Sequence, residues 1–301
     1  MKILITGVYG VVGSDLCSEL SKDHEIIGIG RKNEYNGCSK YYSCDITETE
    51  KIEEILMKNK DLDIIIHCAA LAHSKGTDLS YNRFMKVNYE ATKYFVDLSN
   101  KILNLKNFIF VSTISVYGEE INKDIYLEGD NLNPKSPYAV AKKKSEDYIA
   151  ENYNRNYSII RLAPVYSKNF LLNIERRTKI KGKLYKVGKG DNKLSLCNIK
   201  NIYQAVDYIV NNWSVEKNSI YNISDKKEYT YDELVRFMGD ITPIVIPKFL
   251  MSILYNVNKI SLKKQFIHEN TIKLITDNIY SSDKIRSKAD FKYTIKDVKK
   301  V

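Results

Sequence analysis

Hydrophobic positions along this chain come as short apolar runs separated by stretches in which apolar residues recur every three to four positions. Runs at Lys2–Ile5, Glu25–Ile29, Asp63–His67, Asn107–Ser112 and Ser158–Leu162 read as strands, with a weaker one at Tyr41–Cys44. Ile64-Ile65-Ile66 does not alternate with polar residues, which predicts a strand covered on both faces. Helical spacing begins near Gly10 and returns over Glu48–Lys60, Tyr81–Leu103 and Pro137–Tyr153. Ser136 is a suitable cap for the last of these. Pro137 suits a first-turn position, whose N–H has no partner inside the helix. Strands alternating with helices predict an α/β chain whose parallel sheet is covered on both faces.

The pattern changes after Leu162. Residues 168–193 read as a basic loop, in which Lys168, Arg176, Arg177, Lys179, Lys181, Lys183, Lys186, Lys189 and Lys193 face only Glu175 and Asp191. A helix near Ile199–Asn212 and a strand near Ile220–Ile223 suggest a return to the main sheet. Helices and Pro-bearing loops follow over residues 225–301.

Composition narrows the classes. The 301 residues suffice for one large domain or a domain with a smaller lobe, and 44% apolar content fits a packed protein. Lys and Arg number 47 against 37 Asp and Glu, a net charge of +10. Such a surface suits nucleic acid, an anionic membrane or a phosphorylated small molecule. No recognition motif accompanies the basic excess, so a nucleic-acid partner is not expected. No window resembles a membrane span of roughly 18 uncharged apolar residues. The most apolar late stretch, Ile244–Val257, contains Pro247 and Lys248. The opening Met1-Lys2-Ile3-Leu4-Ile5-Thr6-Gly7 runs straight into a glycine-rich turn, unlike a signal peptide. The five cysteines (Cys17, Cys38, Cys44, Cys68, Cys197) form no Cys-x-x-Cys. A zinc site or disulfide framework is therefore not expected, and a cytoplasmic setting is.

Thr6-Gly7-Val8-Tyr9-Gly10-Val11-Val12-Gly13 joins the first strand to the first helix. Glycines there permit a tight turn, let backbone N–H groups approach a pyrophosphate and let helix and strand pack closely, while the helix N-terminus faces the anion. Gly7, Tyr9, Gly10, Val11, Val12 and Gly13 are thus candidate cofactor contacts. An ordinary glycine-rich turn is the alternative. Where an acid would bind adenine-ribose hydroxyls, this chain has Arg31 and Lys32. A guanidinium pairs with a 2′-phosphate, so NADP(H) is favoured over NAD(H); a solvated surface Arg fits the same position.

Tyr138 and Lys142 are four residues apart on the helix after the fifth strand, hence on one face. A nearby ammonium would lower the Tyr pKa from about 10 and suit it to proton exchange with an alcohol or ketone. In a chain with 23 Tyr, the pair also fits two surface residues. Ser112-Thr113-Ile114-Ser115 ends the fifth strand, where ligands of open α/β sheets bind and where capping hydroxyls are also common.

Together, Thr6–Gly13, Asp45-Ile46, Cys68-Ala69-Ala70, Asn88, Ser112–Gly118 and Tyr138–Lys142 resemble, in order and spacing, the extended short-chain dehydrogenase/reductases. Val116-Tyr117-Gly118 and Arg161-Leu162-Ala163-Pro164-Val165-Tyr166 are similar to the NAD-dependent epimerase/dehydratase branch that acts on nucleotide sugars. The resemblance implies a Rossmann-like, doubly wound parallel sheet with a smaller, mostly helical lobe. The expected dinucleotide-binding domain covers residues 1–166 with a return segment at 195–224. The substrate-binding lobe takes 167–194 and 225–301. Thr113, Tyr138 and Lys142 would be catalytic. Asp45 and Ile46 would line the adenine, Ala69, Ala70 and Leu71 the cofactor, and Pro164 and Val165 the nicotinamide, with Asn88 supporting the site. Ser115, Asn169, Asn173 and Lys193 are candidate substrate contacts. A homodimer is expected through the helices at Tyr81–Leu103 and Pro137–Tyr153, which often pair between subunits in similar proteins.

Within that branch, dehydratases carry Asp-Glu after the catalytic Thr; here Ile114-Ser115 follow Thr113, which speaks against dehydration. His67-Cys68-Ala69-Ala70-Leu71-Ala72-His73 and Tyr280-Ser281-Ser282-Asp283-Lys284-Ile285-Arg286 are similar to bacterial reductases of 4-keto-6-deoxy nucleotide sugars in surface-polysaccharide synthesis. The expected reaction is NADPH-dependent reduction at C4. An NAD-dependent UDP-hexose 4-epimerase is the first alternative, and a non-catalytic dinucleotide-binding regulator the second. His67, ending a buried strand, reads as a packed core residue.

Overall fold

The computed structural model describes residues 1–72, 80–102, 104–118, 120, 123–239 and 241–298. By contacts the chain divides into two units.

The first unit comprises Met1–Val116, Pro134–Arg161 and Ile202–Tyr221. It opens with β1 (Lys2–Thr6), α1 (Val11–Leu20), β2 (Glu25–Gly30), β3 (Lys40–Ser43), α2 (Thr49–Lys58) and β4 (Ile64–His67). Then come α3 (Tyr81–Phe84), a π-helical turn (Met85–Glu90), α4 (Ala91–Ser99) and β5 (Asn107–Thr113). A 3₁₀ turn (Ile114–Tyr117) and β6 (Ile125–Tyr126) lead to α5 (Pro137–Asn152) and β7 (Tyr157–Leu162). The chain passes through β8 (Val165–Tyr166), α6 (Leu172–Thr178), β9 (Lys179–Ile180), β10 (Lys183–Val187), β11 (Lys193–Leu194) and β12 (Cys197–Asn198), and returns in α7 (Ile199–Asn211) and β13 (Ser219–Ile223).

Seven strands form one sheet in the order β13-β7-β5-β4-β1-β2-β3. The pairs β1–β2, β2–β3, β1–β4 and β4–β5 are parallel. Chain order reverses between β1 and β4, and open α/β sheets form a crevice at such a reversal, beyond the strands' carboxyl ends. All three isoleucines of β4 are fully buried, as their unbroken run predicts. Ile65 sits in a core built from Leu4, Ile27, Phe108, Phe110 and Ile159 of the sheet with Ile52, Leu56, Phe95, Val96 and Ile149 of the helices. The sheet and its helical cover are the Rossmann-like fold expected.

The predicted helix Tyr81–Leu103 differs in one respect: a π-helical turn interrupts it, and α4 ends at Ser99. Apolar spacing does not reveal such a turn, because the same face stays inward on either side of it.

The second unit comprises Tyr117–Asn133, Leu162–Asn201 and Asn222–Val301, of which residues 299–301 lie outside the description. After β13 it continues with β14 (Tyr229–Thr230), α8 (Tyr231–Met238), β15 (Ile244–Ile246), α9 (Lys248–Val257), a π-helical turn (Asn258–Leu262), α10 (Gln265–Ile275), β16 (Ile279–Tyr280) and α11 (Asp283–Arg286). Its strands form four small sheets, β15-β10-β9, β11-β14, β12-β8 and β16-β6. The basic stretch 168–193 is not the loop its charge suggested. It holds α6, β9, β10 and the start of β11, anchored by buried Ile174, Leu184, Tyr185 and Val187. Among its cations, Lys179 pairs with Glu175 and Lys186 with Asp232.

Candidate active site

At the crevice, Gly7 has φ +74°, a left-handed conformation that glycine adopts without strain. A Cβ on Gly7 would lie 2.8 Å from the Ala69 backbone, and one on Gly13 would lie 2.3 Å from the Gly7 carbonyl oxygen. The loop is therefore packed backbone to backbone. Gly10 caps α1 with no side chain bonded to its first N–H groups. That is the cradle a pyrophosphate needs, donors facing outward at the positive end of a ten-residue helix.

Thr6 ties this loop to the end of β4. Its hydroxyl accepts from Ala69 N–H at 3.0 Å and meets His67 Nδ1 at 2.9 Å. On the other side, His67 Nε2 lies 3.1 Å from Thr92 Oγ1, which donates to the Asn88 carbonyl at 2.8 Å. With the Thr92 proton committed, Nε2 must carry hydrogen and Nδ1 must accept from Thr6. The neutral ring fills both places. Burial holds its pKa down at about 3, with Lys142 adding a smaller push. His67 is thus a packed core residue.

Asn88, in the π turn, grips Leu71 from both sides: Leu71 N–H donates to Oδ1 at 2.6 Å and Nδ2 donates to the Leu71 carbonyl at 2.9 Å. Ser145 of α5 donates to the Asn88 carbonyl at 2.8 Å. The stretch 68–71 is thereby fixed from the helix layer. His73 lies outside the described residues.

α5 begins as its sequence predicts, with Ala139 N–H donating to Ser136 Oγ and Pro137 in the first turn. One helical turn beyond Tyr138, the Lys142 ammonium is buried, donates to the Val111 carbonyl at 2.7 Å and sits 4.4 Å from the Phe110 ring centre. Burial pushes its pKa down to about 8, opposed by Cys68 and Glu146. Val111 is two residues before Thr113, so this bond joins the helix to the strand end carrying the candidate hydroxyl. Thr113 Oγ1 accepts from Ser115 N–H at 3.2 Å and lies 3.3 Å from Ser115 Oγ. The electrostatics of Tyr138 depart from expectation. Burial raises its pKa to about 12, and no lowering by Lys142 registers. The reason is visible in Lys142, whose ammonium turns to the sheet. Tyr138 keeps part of its surface accessible and stacks edge-on against Phe84 at 6.0 Å.

A charged pair under α5 was not legible beforehand. Arg161 of β7 forks onto Glu146, with Nη2–Oε2 at 2.7 Å and Nε within 3.2 Å of both oxygens, and Ser112 donates to the same carboxylate. Both charged groups are 3% exposed. The one available signal was that Glu146 follows Lys142 by four positions.

Around the end of β2, Tyr9 packs on Tyr35 at 5.0 Å and Tyr41 at 6.1 Å, with the Lys32 ammonium 4.6 Å from its ring centre. Arg31 is exposed there. Asp45 accepts from Thr47 N–H and Oγ1 with one oxygen, shaping the turn into α2, and Ile46 beside it is buried. The remaining candidates belong to the second unit. Pro164 accepts from Cys197 N–H, and Val165 starts β8, where Asn173 Nδ2 donates to its carbonyl at 2.8 Å. Lys193 pairs with Glu228 at 2.9 Å, and Asn169 is exposed.

Several known proteins are similar to this chain. The dTDP-D-glucose 4,6-dehydratase of Dictyostelium discoideum is 28% identical over 262 residues, covering 74% of this chain but only 58% of that protein. N-acetyl-alpha-D-glucosaminyl-diphospho-ditrans,octacis-undecaprenol 4-epimerase of Escherichia coli O157:H7 is 25% identical over 240 residues, 77% of this chain and 70% of that one. Among solved structures, UDP-glucuronic acid 4-epimerase from Bacillus cereus in complex with NAD shares the fold, with TM-score 0.73 and 19% identity over 99% of this chain and 95% of that one. No helix among the described residues is long and apolar enough to cross a membrane. The model of the NAD dependent epimerase/dehydratase family matches residues 3–224, and the chain belongs to that family of extended short-chain dehydrogenase/reductase enzymes.

Proposed function

We propose that the chain reduces C4 of a nucleotide-linked 4-keto-6-deoxy sugar with NADPH, in surface-polysaccharide synthesis. The observation that carries this reading is the junction of α5 and β5, where buried Lys142 bonds to Val111, Tyr138 stands one turn before it and Thr113 ends the strand. Gly7, Gly10, Val11, Val12 and Gly13 would hold the pyrophosphate, and Asp45, Ile46 and Ala69–Leu71 the adenosine side. When bound, the nicotinamide supplies hydride to C4.

The chain's own residues handle the oxygen. Tyr138 gives its proton to the forming alkoxide, and Thr113 donates a hydrogen bond to the same atom. A phenol held neutral by burial is the proton-donating form, which reduction requires. Lys142 positions the helix and lends positive charge. Ile114 and Ser115 offer no acid–base pair, which argues against dehydration. Arg31 and Lys32, both exposed beyond β2, suit a 2′-phosphate.

A second reading, an NAD-dependent 4-epimerase, is favoured by the NAD-bound neighbour of that activity. It requires the opposite first step, removal of a proton from the C4 hydroxyl. Absorbance at the reduced-nicotinamide band separates the two. Stoichiometric NADPH oxidation with a UDP- or dTDP-4-keto-6-deoxyhexose is expected; NAD released on denaturation and interconversion of C4 epimers without net oxidation supports the epimerase. Tyr138→Phe should slow either reaction by roughly 10²–10⁴-fold, and an unchanged rate removes Tyr138 from the mechanism. A homodimer through α3–α4 and α5 belongs to the same reading, and light scattering tests it.

A further inference from the structure

α9 reverses the usual placement of apolar residues. Phe249, Ile253 and Val257, four apart, form an outward stripe that is 63%, 54% and 45% exposed. Leu250 lies beside it, and Ile260 and Leu262 prolong it through the π-helical turn. The inward side holds Tyr255, packed at 5.5 Å on His268 of α10, and buried Asn258. Ile241, Ile244 and Val245 extend the outward surface ahead of the helix. Nine of the sixteen exposed large hydrophobics among the described residues therefore fall within residues 241–262. Clustering on this scale marks an interaction surface rather than scattered exposure.

Charge identifies the occupant. From 241 to 268 the sequence has no Asp or Glu, and its four lysines flank the stripe: Lys248 at one end, Lys259, Lys263 and Lys264 at the other, all exposed. Two copies meeting face to face would oppose these lysines to one another. An anionic surface accepts both components at once, the apolar stripe entering the acyl boundary and the ammoniums meeting phosphate. We infer that α9 and its flanking turn dock the protein on the surface of an anionic lipid bilayer. The helix lies in the interface; it is too short to cross. This inference does not depend on the reaction proposed above.

Flotation with phosphatidylcholine vesicles containing 30% phosphatidylglycerol, against pure phosphatidylcholine, tests it with the full chain. The protein should float with the anionic vesicles at low salt and be released by high salt. Lys259→Ala/Lys263→Ala/Lys264→Ala should weaken partition roughly a hundredfold, at about fivefold per lysine. Phe249→Glu/Ile253→Glu should abolish flotation while its circular dichroism stays unchanged. The inference is overturned if the parent stays in the aqueous fraction with both vesicle types, or if both variants float like the parent. It is likewise overturned if Phe249→Glu/Ile253→Glu converts a dimer to monomers by light scattering while the parent never floats, which would make the face a contact between copies.

Discussion

α5 and α9 depart in opposite directions from the rule that charge faces water and hydrocarbon faces the core. α5 takes a lysine and a glutamate almost wholly out of solvent, Lys142 at 2% and Glu146 at 3% exposure. α9 leaves Phe249 and Ile253 in water. On α5 every buried charge has a partner: the Lys142 ammonium donates to the Val111 carbonyl, and the Glu146 carboxylate accepts from Arg161 and Ser112. Exposed hydrocarbon on α9 lacks any comparable internal justification within its helix. A departure satisfied inside the molecule serves the architecture of a site, whereas one left open points outward. Burying charge is costly unless paired, so the two helices should answer mutation very differently.

The sharpest contrast is in stability. Arg161→Met strands the Glu146 charge in the interior and should cost about 3–5 kcal/mol in urea unfolding. Arg161→Met/Glu146→Leu should recover most of that loss, since the pair can be replaced together by hydrocarbon. If the single variant unfolds like the parent, the α5 interior is not the demanding environment described. Acid acts more gradually, on the separate hydrogen-bonded chain that runs from His67 through Thr92 and the Asn88 carbonyl to Ser145 of α5. His67 is held neutral with a folded pKa near 3, below the ordinary 6.5, so the unfolded chain binds the extra proton between those values. Its contribution is therefore complete above pH 6.5 and is lost as pH falls toward 3. Stability should drop by up to about 1.4 kcal/mol per pH unit from this group, and His67→Gln should flatten the slope between pH 6.5 and 5. An identical slope in the variant assigns the acid sensitivity elsewhere, for instance to half-buried His24, whose pKa is also lowered by burial. Least of all should Ile253→Glu matter: a shift within about 0.5 kcal/mol is expected, and a loss of 2 kcal/mol would mean the stripe is internal packing.

These two helices also show how far the sequence can be read. The start of α5 was legible from Ser136-Pro137, and the spacing from Tyr138 singled out Lys142 among three consecutive lysines. The structure separates them accordingly: Lys143 pairs with Asp147 at 2.6 Å, Lys144 approaches the Tyr89 ring, and only Lys142 goes inward. The sheet and the glycine cradle were legible for the same reason, because each rests on local spacing. Arg161 and Glu146 were not, since fifteen residues and a strand-to-helix contact separate them. Nor was the direction of the Tyr138 shift, which depends on where an ammonium finds a carbonyl. In residues 168–193 the density of charge hid a mostly apolar run, Lys183-Leu184-Tyr185-Lys186-Val187, that forms β10.

The π-helical turn at Met85–Glu90 makes the helix around it a counting device. Each residue in an α-helix advances the rotation by about 100°, so a position inserted here would swing Phe95 and Val96 away from the sheet. A single deletion is different: the wide i→i+5 turn holds one residue more than an α turn, and closing it into one leaves the faces downstream where they are. Tolerance to changes of length is therefore one-sided across this segment. Among this protein's own variants, insertions within 85–90 should be rarer than single deletions.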